Sequence, residues 1–442
     1  MIMQESVEYL TEIARKSEAE QFDILAGSLD SRSISVFNGI LQNTEISNSR
    51  GIGIRVFKNQ KPGYASTEKF SKDSLSQILE DAISNSEYAE PINTDLPEPV
   101  TLNNTLPTYN PKLEKVDVNH LLDMCLSIEK QVLAASEIKN VPDLGAEISS
   151  STTIFVNSKG VFFKDKRNSF GIGAGAVAER AGIVKMGWYG KGGRDFEAVS
   201  AEQISNEVIS RAKELLSPRP IKGGKMPVIF SKRISANILS IYLSSFFAEN
   251  AQKGLSGLKD RLGEKIASEK FSLFSEPLQP DLPGSVLMDS EGILTSALGV
   301  VENGVFGSFL YNLESASKEN RESTGHGVRG FSGKAATGFM NAVVPLGELS
   351  NKEILSIFPK CLLINHLEGS SGCNPVSGEI SIGAQGFLCE NGVPLHAADN
   401  LTISANFFDL LKNIVEIGGE YNDSFSNVKV PSLAISEVSV ST

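Results

Sequence analysis

The chain has four histidines, His120, His326, His366 and His396, and even the closest two stand thirty residues apart. A helical zinc site needs two ligands within about a turn, so that both imidazoles face one ion. No such pair exists here. A site assembled from distant residues, such as His326, His366 and Cys373, stays open on sequence grounds. The G-x-S-x-G elbow that exposes a hydrolase serine is absent. Gly369-Ser370-Ser371-Gly372 lies near His366 but reads as a turn of small residues. Gly171-Ile172-Gly173-Ala174-Gly175 lacks the third glycine of a dinucleotide loop, and Ala176 to Val184 has the pattern of a strand. Gly333-Lys334 lacks the hydroxyl residue and upstream glycine of a phosphate loop. Ser323-Thr324-Gly325-His326 is the most suggestive segment. It sits among Lys318, Glu319, Arg321, Glu322 and Arg329 as a polar loop after a strand, and loops placed this way often carry function. Two readings follow, an ordinary surface loop or a hydrolase pairing Ser323 and His326 with a distant acid.

The whole chain sets bounds on these options. With 442 residues there is room for two or three domains, since single cores stop growing near ~250–300 residues. A net charge of −12 and a pI near 5.1 argue against a nucleic-acid partner, whose phosphates would be repelled. A basic or extended peptide is not excluded. No apolar run approaches the ~20 residues needed to cross a bilayer. The first 21 residues carry Glu5, Glu8, Glu12, Arg15 and Lys16 and do not read as a signal peptide. Cys125, Cys361, Cys373 and Cys389 show no C-x-x-C pairing and read as reduced thiols, so a cytoplasmic protein without a membrane partner is expected.

The elements that must position any site alternate along the chain. Helical spacing predicts helices over 6–16, 74–84 and 116–137. Strands are expected at 22–26, 33–37, 51–57, 146–156 and 160–165, with Asn38-Gly39 as a type I′ hairpin turn. Pro91 to Pro111 reads as a connector. Ser200 and Gln203 form a capping-box pattern for a helix ending near Leu216. A second boundary falls in the Pro- and Gly-bearing stretch 217–225. Beyond it come a strand at 227–230, a helix at 234–250 and hairpins at Glu302-Asn303-Gly304 and Asn391-Gly392. Ser350 with Glu353 caps a short helix, a further helix spans 405–414, and a terminal strand covers 432–440. Hairpins mixed with separated helices favour an α+β fold of mixed, largely antiparallel sheets with packed helices. Its modules are expected at 1–110, 111–222 and 223–442.

The C-terminal half is more specific. Asp289-Ser290-Glu291-Gly292, the hairpin at 302–304, and Ser323-Thr324-Gly325-His326 occur in order, followed by Pro375 to Ile380 and Gly386 to Gly392. Leu410 to Gly418 and Pro431-Ser432-Leu433 close the series. As a series it resembles the TldD/PmbA metalloprotease family across 223–442. Asn38-Gly39 and Gly51 to Arg55 extend the likeness into the first module. The resemblance implies two branches, one with a His-Glu-x-x-x-His helix and a late cysteine that hold a catalytic zinc. That helix matches Leu239-Ser240-Ile241-Tyr242-Leu243-Ser244 here, which contains no histidine, and no cysteine occurs at 422–427. The chain therefore resembles the PmbA (TldE) branch. The implied function is that of a subunit with no metal or catalytic residues of its own, in a two-chain protease acting on unfolded or extended peptides. Zinc is then expected in a TldD-like catalytic partner, and the chain itself pairs with that partner or with a second copy. The resemblance marks Ser323, Thr324, Gly325, His326 and Arg329 as cleft or substrate-binding residues. A stand-alone peptide-binding or regulatory protein is the alternative, since fold does not fix function.

Overall fold

A computed structural model describes residues 1–102 and 105–442. The connector expected at 91–111 includes residues 103 and 104, which lie outside the described ones. The framework begins with two long strands, β1 (Gln21–Phe37) and β2 (Ile40–Lys58), paired from Gln21↔Phe57 to Phe37↔Ile40. Asn38 and Gly39 close the hairpin at φ 53° and 70°, as a type I′ turn requires. β3 (Lys61–Thr67) flanks β2. The polar stretch between the strands expected at 22–26 and 33–37 is not a break. Its backbone pairs on both sides, with β2 and with β4 (Ile138–Asn157), so β1 is continuous. β5 (Phe162–Arg180) and β6 (Ile183–Gly193) complete a six-stranded antiparallel sheet in the order β3-β2-β1-β4-β5-β6. The first two modules therefore share one sheet, joined where β1 meets β4.

Helices cover one face of this sheet. α1 (Met3–Arg15) and α2 (Lys72–Ser86) bury Val7, Leu10 and Leu75 against Ile24, Ile52 and Ile54. α3 (Val118–Leu133) and α4 (Ala201–Lys213) bury Leu121, Ile128 and Val208 against Ile148, Ile172 and Ala174. Ser200 caps α4 by accepting from the Gln203 N–H, but the box does not close, because the Gln203 amide oxygen accepts from Lys191 instead. Among the described residues the strands' opposite side carries no helix, and it faces the C-terminal module.

That module is built on a mixed six-stranded sheet in the order 393–406, 379–390, 360–368, 224–230, 433–441, 414–417. Strand β7 (Gly224–Phe230) pairs in parallel with 360–368, and the other ladders are antiparallel. The single helix expected at 234–250 is three pieces: α5 (Lys232–Tyr242), a 3₁₀ turn at 243–246 and a short helix at 248–252. The chain leaves the helix because other partners satisfy its backbone. Phe247 is extended, Leu310 N–H donates to Phe246 O, and Ala248 N–H donates to Leu310 O. The helix expected at 405–414 shortens to 407–412, since Ala405 and Asn406 remain paired with the neighbouring strand. Asn303 and Asn391 adopt φ 47° and 49°, forming the two predicted Asn-Gly hairpin turns. The whole is an α+β fold.

Candidate functional site

A buried charge network joins the sheet to the C-terminal module. Arg55 on β2 donates from Nε to Asp23 Oδ2 at 2.8 Å and from Nη1 to Glu291 Oε1 at 2.7 Å. Asp23, Arg55 and Glu291 are all buried, and Arg329 donates from Nη2 to the other oxygen of Asp23. Burial works against the Arg55 charge, but Asp23 and Glu291 outweigh it and hold its pKa well above the usual value. Two cations thus match two carboxylates. Beside them, Asp289 accepts from the N–H groups of Glu291, Ile293 and Gly327. Burial and the neighbouring Glu291 charge outweigh those donors and raise its pKa to about 7. Gly292, at φ 86°, presses against Phe155, where a Cβ would come within 2.5 Å of the ring. The Asp289-to-Gly292 motif is therefore a tightly packed joint between modules.

The segment 323–326 packs onto this hub rather than opening to a cleft. Ser323 Oγ donates to Tyr311 O, and Thr324 Oγ1 accepts from the Tyr311 N–H. His326 is 1% exposed, with Nδ1 2.9 Å from Thr324 Oγ1 and Nε2 2.8 Å from Ser275 Oγ. Burial lowers its pKa to about 4, so the ring is neutral at pH 7. The Ser275–His326 contact has the spacing of a nucleophile and base, yet both are sealed in the interior, out of a substrate's reach. The hydrolase pairing of Ser323 with His326 does not form, because His326 spends both nitrogens elsewhere. Gly325 takes a φ of 71° that suits glycine. Arg329, expected at the cleft surface, is held in the charge network and by Ser290 O. Ser323 to His326 and Arg329 line none of the cavities described below. Their neighbours Asp289, Ser290 and Val328 do.

The segment matched to a zinc-ligand helix is occupied by other contacts. Leu239 lies in the core, Ser240 donates to Ala236 O, and Tyr242 stacks on Phe407 while donating to Glu379 O at 2.6 Å. These side chains do not fit a zinc ion, which takes imidazole, thiolate or carboxylate donors. Among the described residues, no three His, Cys, Asp or Glu side chains converge to hold a metal, and the combination of His326, His366 and Cys373 does not assemble.

What the fold does build is a groove along the helix-free face of the six-stranded sheet. Its floor is the alternate residues of β4 from Phe155 to Gly145, a run of about 33 Å at ~3.3 Å per residue. Three cavities follow one another. The first, of about 380 Å³, has apolar walls from Leu25, Phe155, Phe163, Met288, Phe339 and Met340. The second, of about 100 Å³, is polar and lies between Arg167, Arg194 and Ser149. The third, of about 520 Å³, opens over Trp188 and Phe425. Ser151 and Arg167 line both the first and second, and Phe425 lines both the second and third. Gly173 and Gly190 let the Trp188 indole lie on the backbone, since a Cβ there would come within 2.7 and 2.4 Å of it. The far wall comes from the C-terminal module at Pro283, Gly284, Val286 and Asn427. Sequence reasoning passes over this site. Its signal is the small polar run Ser149 to Thr153 on β4, continued where Glu147 and Gly145 lie opposite Gly171 and Gly173 on β5.

Comparison with known proteins bears on this arrangement. Residues 22–86, 111–216 and 223–442 match, in turn, domain 1, the central domain and the C-terminal domain described for PmbA/TldA metallopeptidases. A Haemophilus influenzae protein named as a metalloprotease PmbA homolog is 25% identical over 99% of this chain and 96% of its own length. A Thermotoga maritima structure described as a candidate modulator of DNA gyrase superposes with a TM-score of 0.92 at 28% identity, covering 99% of this chain and all of that one. TldE from Thermococcus kodakarensis shares the fold, with a TM-score of 0.87 at 22% identity over 99% of this chain and all of its own.

Proposed function

Because the chain belongs to the PmbA/TldD metallopeptidase family, we propose that it is the peptide-holding, metal-free subunit of a two-chain cytoplasmic protease. The observation that carries this reading is the groove, long enough for an extended segment of about ten residues. Its small-residue floor admits main chain closely, its apolar end takes a large side chain, and its aromatic end offers a flat contact at Trp188. Folded substrates do not enter such a trough, so unfolded or extended peptides are the substrate class. A zinc ion in a TldD-like partner would supply the activated water and stabilise the developing oxyanion. This chain's own residues hold and align the peptide and keep the two modules fixed through Arg55. The donor chemistry around Leu239 and Tyr242 supports the metal-free assignment.

The test uses Trp188, the chain's single tryptophan. An unstructured peptide titrated into the purified chain should shift its fluorescence saturably, while elemental analysis of chelator-free protein finds less than one zinc per chain. One zinc per chain would overturn the metal-free assignment, and no binding would overturn the peptide-holding role.

A further inference from the structure

The constriction between the two large cavities holds an arginine, Arg194, that has no direct ion-pair partner among the described residues. Arg194 donates from Nε to Thr108 O at 3.0 Å, from Nη1 to Pro280 O at 2.8 Å and from Nη2 to Leu282 O at 3.3 Å. Those partners are neutral carbonyls. Among the described residues, no carboxylate lies within ion-pair distance of it. Arg167, its neighbour across the constriction, is matched by Asp165, which accepts from Arg167 Nε at 2.7 Å. Asp281 and Asp165 act on Arg194 only from beyond ion-pair distance, so of the two guanidinium groups at the constriction Arg167 alone is directly paired, in a chain whose net charge is −12. Burial, and then the charge of Arg167, lower the Arg194 pKa, and the more distant charges of Asp281 and Asp165 offset this only in part.

Size and surroundings narrow the occupant. A space of about 100 Å³ admits a carboxylate and a water or two, but not a large side chain. Ser149, Ser151 and Ser169 line it as well, and hydroxyls donate readily to an anion. The adjoining cavity is nearly four times larger, with an apolar wall of Phe155, Phe163 and Met288 and with Asp165 and Asp289 also on its lining, and Ser151 and Arg167 border both spaces. A chain-terminal residue places a carboxylate and its own side chain this close together.

We propose that the constriction at Arg194 and Arg167 binds the C-terminal carboxylate of a peptide whose last side chain, large and apolar, fills the cavity beside Phe155 and Met288. The proposal rests on the reading of the groove as a peptide-holding site and assigns that site its substrate class. The carboxylate gives Arg194 a direct counter-charge, and the apolar side chain is desolvated in the same event.

The test is fluorescence anisotropy with the full-length chain and three labelled hexapeptides that share five residues. One ends in Phe with a free acid, one in Phe amide, and one in Ser with a free acid. Amidation should weaken binding about ten- to a hundredfold, the worth of a charge-assisted hydrogen bond. Replacing Phe with Ser should weaken it by a similar factor through lost apolar burial. In Arg194→Met the difference between acid and amide should vanish while that between Phe and Ser persists. Arg194 also anchors residues 280–282, so the wild-type comparison of acid with amide decides the matter even if the variant misfolds. Equal binding of acid and amide overturns the proposal and leaves the peptide-holding role standing. Failure of all three peptides to bind overturns both.

Discussion

Replacing Arg55 with methionine keeps much of the side chain's volume and removes the charge that joins the two layers. Asp23 is 0% exposed and Glu291 1% exposed, so neither carboxylate gains water when its partner goes. Asp23 keeps Arg329, and the Oε2 of Glu291 keeps the Leu313 N–H at 2.8 Å. The loss therefore falls mainly on Glu291 Oε1. Breaking a buried pair from one side costs about 3–5 kcal/mol, chiefly the penalty of the stranded charge. A second change, Glu291→Gln, neutralises that charge. The double variant should thus be more stable than the sum of the two single losses by about 1.5–3 kcal/mol. Urea unfolding at pH 7, followed by far-UV circular dichroism and by Trp188 fluorescence, measures all four proteins. The coupling should show most clearly in circular dichroism, because Trp188 lies on the middle module, away from the pair. A loss below about 1 kcal/mol in Arg55→Met, or additivity within ~0.5 kcal/mol, would refute the view that this network clamps the modules.

Other consequences can be checked separately. His326 has a folded pKa of about 4, below the unfolded value of ~6.5, so its contribution is complete above the unfolded value and is lost as pH falls toward 4. Between pH 7 and 5 the wild type should lose about 2 kcal/mol more than His326→Gln. Asp289, raised to about 7, acts in the opposite direction over pH 4 to 7, and the difference between wild type and variant cancels it; parallel profiles would refute the buried neutral ring. Gly292→Ala forces a left-handed φ and a contact with Phe155, and should cost about 2–4 kcal/mol in urea unfolding, whereas an unchanged midpoint would contradict the packing. Light scattering should give a species larger than a monomer when the chain is mixed with its catalytic relative, because a shared cleft needs more than ~1,000 Å² of contact. A monomer alone and in the mixture would count against a partner subunit.

The local chemistry of turns was the most legible part of the sequence. Asn38-Gly39, Asn303-Gly304 and Asn391-Gly392 each predict a turn that forms, because positive φ at two successive positions selects those residues strongly. The glycine run at 171–175 is correctly read as strand rather than phosphate loop. Less legible was anything decided by distant pairing. The polar middle of β1 lacks a strand's apolar alternation and is held by neighbours on both sides, one of which lies more than a hundred residues away. The break at Phe247 depends likewise on Leu310. For the site, residue types drew attention to Ser323-Thr324-Gly325-His326, a polar segment that in fact folds inward onto Tyr311 and Ser275. Chemistry-bearing residues signal a site only once their surroundings are known. The groove escaped notice because serines, glycines and threonines line it, and its two arginines are far apart in the chain, Arg167 on β5 and Arg194 just beyond the end of β6.

The central claim, that this chain holds peptide for chemistry performed elsewhere, is tested most directly by mixing. An unstructured peptide is incubated with the chain alone, with a His-Glu-x-x-x-His relative from the same cell alone, and with both, and fragments are resolved by mass spectrometry. The account predicts no fragments from this chain alone and robust cleavage from the mixture, abolished by chelator because the metal sits in the partner. Cleavage by this chain alone that persists in chelator would contradict it.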